Sequence, residues 1–125
     1  MDVSLTDREA EFMRILWRNG PSTVAEVLGH LDDKPAYTTV LTILRNLEAK
    51  GYVGHVEEGR AHRYQAVIDS SEARTSALRA LAHKLFDGSA ELLLTHLVSD
   101  KKLNGAQLRR IRRLLEDKPK RENES

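Results

Sequence analysis

The stretch Ala36–Lys50, AYTTVLTILRNLEAK, decides how the rest of the chain is read. At 100° per residue its apolar members Tyr37, Val40, Leu41, Ile43, Leu44 and Leu47 fall on one arc, while Thr38, Thr42, Arg45 and Asn46 fall opposite and Thr39 lies at the margin. Gly51 follows at the position where helices most often end in a left-handed residue. The segment is therefore a helix with one face committed to a core and one face left to do something else. Threonine is a mediocre helix former, so three of them in five positions need a reason beyond helix stability. Short hydroxyl side chains allow close approach to a surface, and Arg45 among them can reach a guanine edge or a phosphate.

Working outward, two capping boxes precede this helix. Thr6-Asp7-Arg8-Glu9 opens a first helix with Ala10, Met13, Ile15, Leu16 and Trp17 on its apolar stripe, and Asn19-Gly20-Pro21 ends it. Thr23-Val24-Ala25-Glu26 opens a second, reaching about Leu31, with Val24, Val27, Leu28 and Leu31 inward, and Asp32-Asp33-Lys34-Pro35 is a turn. Beyond Gly51 the period changes to two: Tyr52, Val53 and Val56, then Tyr64, Ala66 and Val67, flank the tight Glu58-Gly59-Arg60 connection of a β-hairpin. Three helices and a hairpin in this order describe a winged helix-turn-helix over residues 1–68.

Three further helices are expected over residues 69–116. The first follows Asp69 and carries Leu78, Leu81, Leu85 and Phe86, the second is capped by Ser89 and carries Leu92, Leu93, Leu94, Leu97 and Val98, and the third opens at Asn104–Gln107 with Leu108, Ile111, Leu114 and Leu115. So much leucine exceeds what a lone bundle of about fifty residues can hide. A partner chain is the expected cover. Residues 117–125, with Pro119 and mixed charge, read as a disordered tail. The fold class is thus mainly α with a small β-hairpin: a winged helix followed by a helical dimerisation element.

Composition sets the limits. At 125 residues with 40% apolar content, a large two-domain enzyme is excluded. There is no cysteine, hence no disulfide, no thiolate metal site and no cysteine nucleophile, as suits the cytoplasm. No segment has the length and apolarity of a membrane span. Net charge is only +1, and residues 1–68 hold eight Lys/Arg against ten Asp/Glu, the remainder twelve against nine. Bulk charge therefore does not point the N-terminal half at nucleic acid, and the inference rests on where the charges sit. Candidates are Ser22 and Thr23 at the start of the second helix, where a phosphate can meet free amides; Tyr37, Thr38, Thr39, Thr42, Arg45, Asn46 and Lys50 on the third; and Arg60 with His62 on the wing, where Arg60 and His62 share a face and Arg63 turns away. Glu57 and Glu58 oppose a phosphate there. His30, His55, His62, His83 and His96 show no metal-ligand spacing, no nucleophile or phosphate-loop motif occurs, and neither a cofactor nor catalysis is expected. Arg109-Arg110 and Arg112-Arg113 form the densest basic run, read as a solvated helix face. The competing reading is a winged-helix protein-interaction module without sequence-specific DNA binding, which calls for an apolar patch on the third helix or wing.

The segments LTDREAEFMRILWRNGPSTVAEV, AYTTVLTILRNLEAKGYV, GRAHRY and LFDGSAELLL closely resemble the penicillinase-repressor (BlaI/MecI) family from about Leu5 to Leu115. The resemblance implies repression by a homodimer on inverted-repeat operators upstream of resistance or stress genes, such as those for beta-lactamase and a sensor protease. It places the recognition helix on Tyr37–Lys50, the wing on Val53–Val67 with Arg60 at its tip, and dimer contacts along Leu78, Leu81, Leu85, Leu92, Leu97, Leu108 and Ile111. Copper-responsive members use C-terminal cysteine pairs, which this chain lacks. Penicillinase repressors are cut at an Asn-Phe bond through a pathway headed by a sensor-transducer membrane metalloprotease; the aligned position here reads His96-Leu97.

Overall fold

A computed structural model describes residues 2–100 and 103–124, with side chains described through Asp117. Its elements run α1 (Asp7–Asn19), β1 (Ser22–Thr23), α2 (Val24–Gly29), α3 (Tyr37–Ala49), β2 (Val53–Glu58), β3 (Ala61–Ala66), α4 (Ser70–Leu85), α5 (Ala90–Ser99) and α6 (Gly105–Glu124). The strands form one antiparallel sheet in the order β1-β3-β2. Sequence pattern does not reveal β1, because its two residues have no period to read; it exists through pairing of Ser22 with Tyr64 and Thr23 with Arg63. Mainly helical with a small antiparallel sheet, this is the expected winged-helix fold class.

Both capping boxes close as expected. The Thr6 hydroxyl accepts from the Glu9 amide while the Glu9 carboxylate accepts from the Thr6 amide, and Thr23 and Glu26 repeat the exchange. At the end of α3 the Gly51 amide donates to the Glu48 carbonyl and the Tyr52 amide to that of Leu47, with Gly51 at φ +84°. This Schellman arrangement turns the chain straight into β2. Gly59 at φ +62° opens the two-residue hairpin turn, for which Glu58 pairs with Ala61.

The core joins Phe12, Met13, Ile15 and Leu16 of α1 to Val24, Val27 and Leu31, to Val40, Leu44 and Leu47 of α3, and to Tyr52, Val53, Tyr64, Ile68 and Ala73. Phe12, fully buried, is a member the sequence reading passes over, as are Ile68 and Ala73. Tyr37 is 53% exposed and Val56 and Val67 also face solvent, so these three leave the inward set the periodicity assigns them. Full burial of each large aliphatic side chain contributes about 1.5–3 kcal/mol.

The chain divides into two compact units, Met1–Leu78 and Arg79–Ser125. The boundary lies inside α4 and not after Ile68 as the pattern suggests, because Ala73 is part of the first unit's core and the Ser76 hydroxyl accepts from the Val3 amide at 2.8 Å. In the second unit, Ser89 caps α5 and Asn104 and Gln107 exchange hydrogen bonds at the start of α6. The backbone of α6 continues past Asp117 to Glu124, where the sequence reading places a disordered tail. Ser125 lies outside the described residues.

One ion pair joins the first turn of α1 to the last residue of α3. Lys50 Nζ lies 2.8 Å from both oxygens of the nearly buried Glu9 carboxylate. Burial pushes that carboxyl upward, but the hydrogen bond from Lys50, the amide of Thr6 and the ammonium charge outweigh it and hold it below the usual glutamate value. Its stabilisation is therefore complete above the unfolded glutamate pKa of about 4.3 and is lost as pH falls through the lower folded value. Glu9→Gln should lower stability by about 1–3 kcal/mol at pH 7, and in urea titrations the gap to the parent should close as pH falls below about 4.

Candidate nucleic-acid interface

The outward face of α3 is held by what lies under it. With Val40, Leu44 and Leu47 fully buried, the helical period turns Thr38, Thr39, Thr42, Arg45 and Asn46 to solvent, all exposed together with Tyr37 at the N-terminal end. The Thr42 hydroxyl donates to the Thr38 carbonyl at 2.8 Å, which parks it against the helix and leaves its methyl and lone pairs outward. Arg45 has no carboxylate within 4 Å among the described residues, and its positive charge reaches the phenol of Tyr64.

Tyr64 is a residue the site reading misses. Burial raises its pKa, and Glu48 adds to the rise while Arg45 opposes it. Its neighbours form a row across the sheet: the His55 ring stacks on that of His62 with centroids 4.4 Å apart, and both tilt toward Tyr64. His55 Nδ1 lies 2.6 Å from Glu48 Oε2, so the row ties the wing to α3. Strand alternation carries the signal, since His55 and His62 fall on the face of Tyr64 once the hairpin pairing is known.

The wing tip offsets one of its two glutamates, Glu58. Arg63 donates from Nε to Glu58 at 2.6 Å and from Nη1 to Glu26 at 2.8 Å and to the Pro21 carbonyl at 3.1 Å, clamping β3 to β1 and α2. The Glu58 bond chiefly, against some desolvation, raises the Arg63 pKa, and Thr23 with help from Arg63 lowers that of Glu26. Glu57 lies 3.8 Å from His62. Arg60 remains at the tip, exposed and without a carboxylate within 4 Å among the described residues.

Three expected members have side chains engaged within the fold. Ser22 is 3% exposed and its hydroxyl donates to the Gly20 carbonyl, because β1 pairing turns it inward. The Thr23 hydroxyl is occupied as the cap of α2. Lys50 is committed to Glu9. Among the described residues no group of three or more His, Asp or Glu is placed to hold a metal ion, and no helix is long and apolar enough to cross a membrane.

In the second unit Leu81, Leu85, Leu92, Leu97 and Leu108 are exposed and Ile111 is half-buried; Leu78, at the end of the first unit, is exposed as well. His96 and Leu97 lie within α5, the His96 ring edge-on to Phe86.

A polar helix face carried on a three-helix core beside a β-wing defines a winged helix-turn-helix module of the kind that transcriptional repressors carry. The chain belongs to the penicillinase repressor family, whose model matches residues 5–117. It is 24% identical over 122 residues to the penicillinase repressor of Bacillus licheniformis, covering 96% of this chain and 95% of that one. To the transcriptional regulator BlaI of Mycobacterium tuberculosis it is 38% identical over 98 residues, 75% of this chain and 71% of that one. The solution structure of the DNA binding domain of the repressor BlaI matches at a TM-score of 0.50 with 30% identity, over 58% of this chain and 93% of that domain.

Tyr64→Phe should remove a phenol that ionises above the ordinary value near 10, so the highest-pH part of the 295 nm absorbance titration should shrink while the earlier part is kept.

Proposed function

We propose that the protein represses transcription as a homodimer bound to inverted-repeat operator DNA, with α3 of each copy in a major groove and Arg60 against the flanking backbone or minor groove. The observation that carries the reading is the pairing of opposites on α3: Val40, Leu44 and Leu47 buried on the inner side, Thr38, Thr39, Thr42, Arg45 and Asn46 exposed on the outer. Apart from Tyr37 that face offers hydroxyl, amide and guanidinium groups, which suit base edges and phosphates better than an apolar protein partner. The carboxylates of the surrounding acidic half are largely engaged elsewhere, Glu9 by Lys50 and Glu26 and Glu58 by Arg63.

The second copy is inferred from the apolar surface at Leu81, Leu85, Leu92, Leu97, Val98, Leu114 and Leu115. A symmetric pair would set two α3 helices on half-sites about 10 bp apart or a multiple of that, and tethering them makes the second contact intramolecular, worth roughly 10² in affinity. Controlled genes of the resistance or stress kind, a cytoplasmic location and induction by dimer loss belong to the same reading. A sensor-protease pathway acting at His96-Leu97 would have to unwind α5 before cutting it.

Arg45→Ala should relax discrimination between operator and scrambled duplex by about 1–3 kcal/mol at fixed salt; an unchanged ratio removes Arg45 from base readout. Arg60→Ala should reduce the slope of log affinity against log salt by about one. Sedimentation of the intact chain at micromolar concentration should show a dimer, and a monomer would undo the tethered model.

A further inference from the structure

Of the nine Lys and Arg in the first unit, four are engaged by partners within it. Arg8 is held by Glu11 and Asp33, Lys50 by Glu9, Arg63 by Glu26 and Glu58, and Lys34 by the carbonyls of Leu28 and Gly29 at the end of α2. Arg45 and Arg60 belong to the interface described above. The three that remain, Arg14, Arg18 and Arg74, have no carboxylate within 4 Å among the described residues, and all three line one cavity of about 220 Å³ with Trp17 and Ser70.

We propose that this cavity binds a small phosphate monoester. Arg14 and Arg18 stand four residues apart on α1, where like charges cost helix stability, and Arg74 brings a third positive charge from α4. A single carboxylate would leave most of this charge uncompensated. A phosphate monoester carries about −1.5 to −2 at neutral pH and three acceptor oxygens, and guanidinium forks bind such oxygens in pairs. The Ser70 hydroxyl adds a donor. The Trp17 indole N–H is already given to the Ile68 carbonyl at 3.0 Å, so the ring serves as an apolar wall for the ester carbons. At about 220 Å³ and open to solvent, the cleft has room for a phosphate with its ester carbons extending outward.

The cavity lies away from the wing tip. Ile68 lies beyond the open end of the hairpin, and six residues of β3 at about 3.3 Å each put that end roughly 20 Å from the tip at Arg60.

Trp17 is the only tryptophan in the chain, so its fluorescence reports on the cavity directly. The full-length protein is titrated with glycerol 3-phosphate, and separately with inorganic phosphate, at ionic strength held constant with chloride. The expected result is a saturable change in emission with a midpoint of about 0.1–1 mM, tighter for the ester than for inorganic phosphate. Arg14→Gln and Arg74→Gln should each weaken it by about tenfold, and Arg110→Gln on α6 should leave it intact; circular dichroism establishes that each variant is folded. No saturable change, or binding retained in both cavity variants, overturns the proposal. So does a fall of about one in the DNA salt slope for each cavity variant without ester binding by the parent, which would assign these arginines to the duplex backbone.

Discussion

Burial of Val40, Leu44 and Leu47 beneath α3 is the constraint on which the rest depends. These three meet Phe12, Met13, Val27 and Leu31 in the same core, so the helix has one orientation that leaves no apolar stripe in water. Rotation by a single residue would expose at least one of them, at about 1.5–3 kcal/mol each. The outward direction of Thr38, Thr42 and Arg45 is a geometric result of that packing. The Schellman turn at Gly51 and the Lys50–Glu9 pair then fix where the helix ends, and with it where β2 and the wing begin.

Much of this could be read from local pattern, because local rules govern it. The boxes at Thr6-Glu9 and Thr23-Glu26, the left-handed Gly51, the Gly59 turn and the Ser89 cap are each specified within four residues and stand in the structure as the sequence suggests. What escaped notice depends on partners distant along the chain. Ser22 looks like an exposed cap until β1 pairs with β3 and turns it inward; Lys50 looks like a DNA contact until Glu9, forty-one residues earlier, takes its ammonium. Tyr64 reads as an ordinary strand residue, and only the assembled sheet brings it against the stacked His55 and His62. The boundary between units is similar, since Ala73 and Ser76 look like plain helix until the N-terminal segment and core engage them.

Electrostatics here works by allocation and not by sum. An acidic half-chain is a poor polyanion binder on net charge, yet charge acts over about 8–10 Å at physiological salt, and within that range Glu26 and Glu58 beside the wing are matched by Arg63. Arg63 is central to this: by holding Glu26 and Glu58 together it both fastens β3 to the start of α2 and quiets two negative charges beside Arg60. The stacked His55–His62 pair bridges the same wing to Glu48 on α3, so wing and helix form one surface.

The division of labour on α3 also bears on how such proteins diverge. Side chains that hold the fold and side chains that face outward occupy separate rows of one helix, and the exposed row takes almost no part in the core. Exchanges at Thr38, Thr39, Arg45 or Asn46 are therefore open to drift after gene duplication with little risk of unfolding, whereas Val40, Leu44 and Leu47 are not. A genome can in this way keep several copies of one scaffold and teach each a different address.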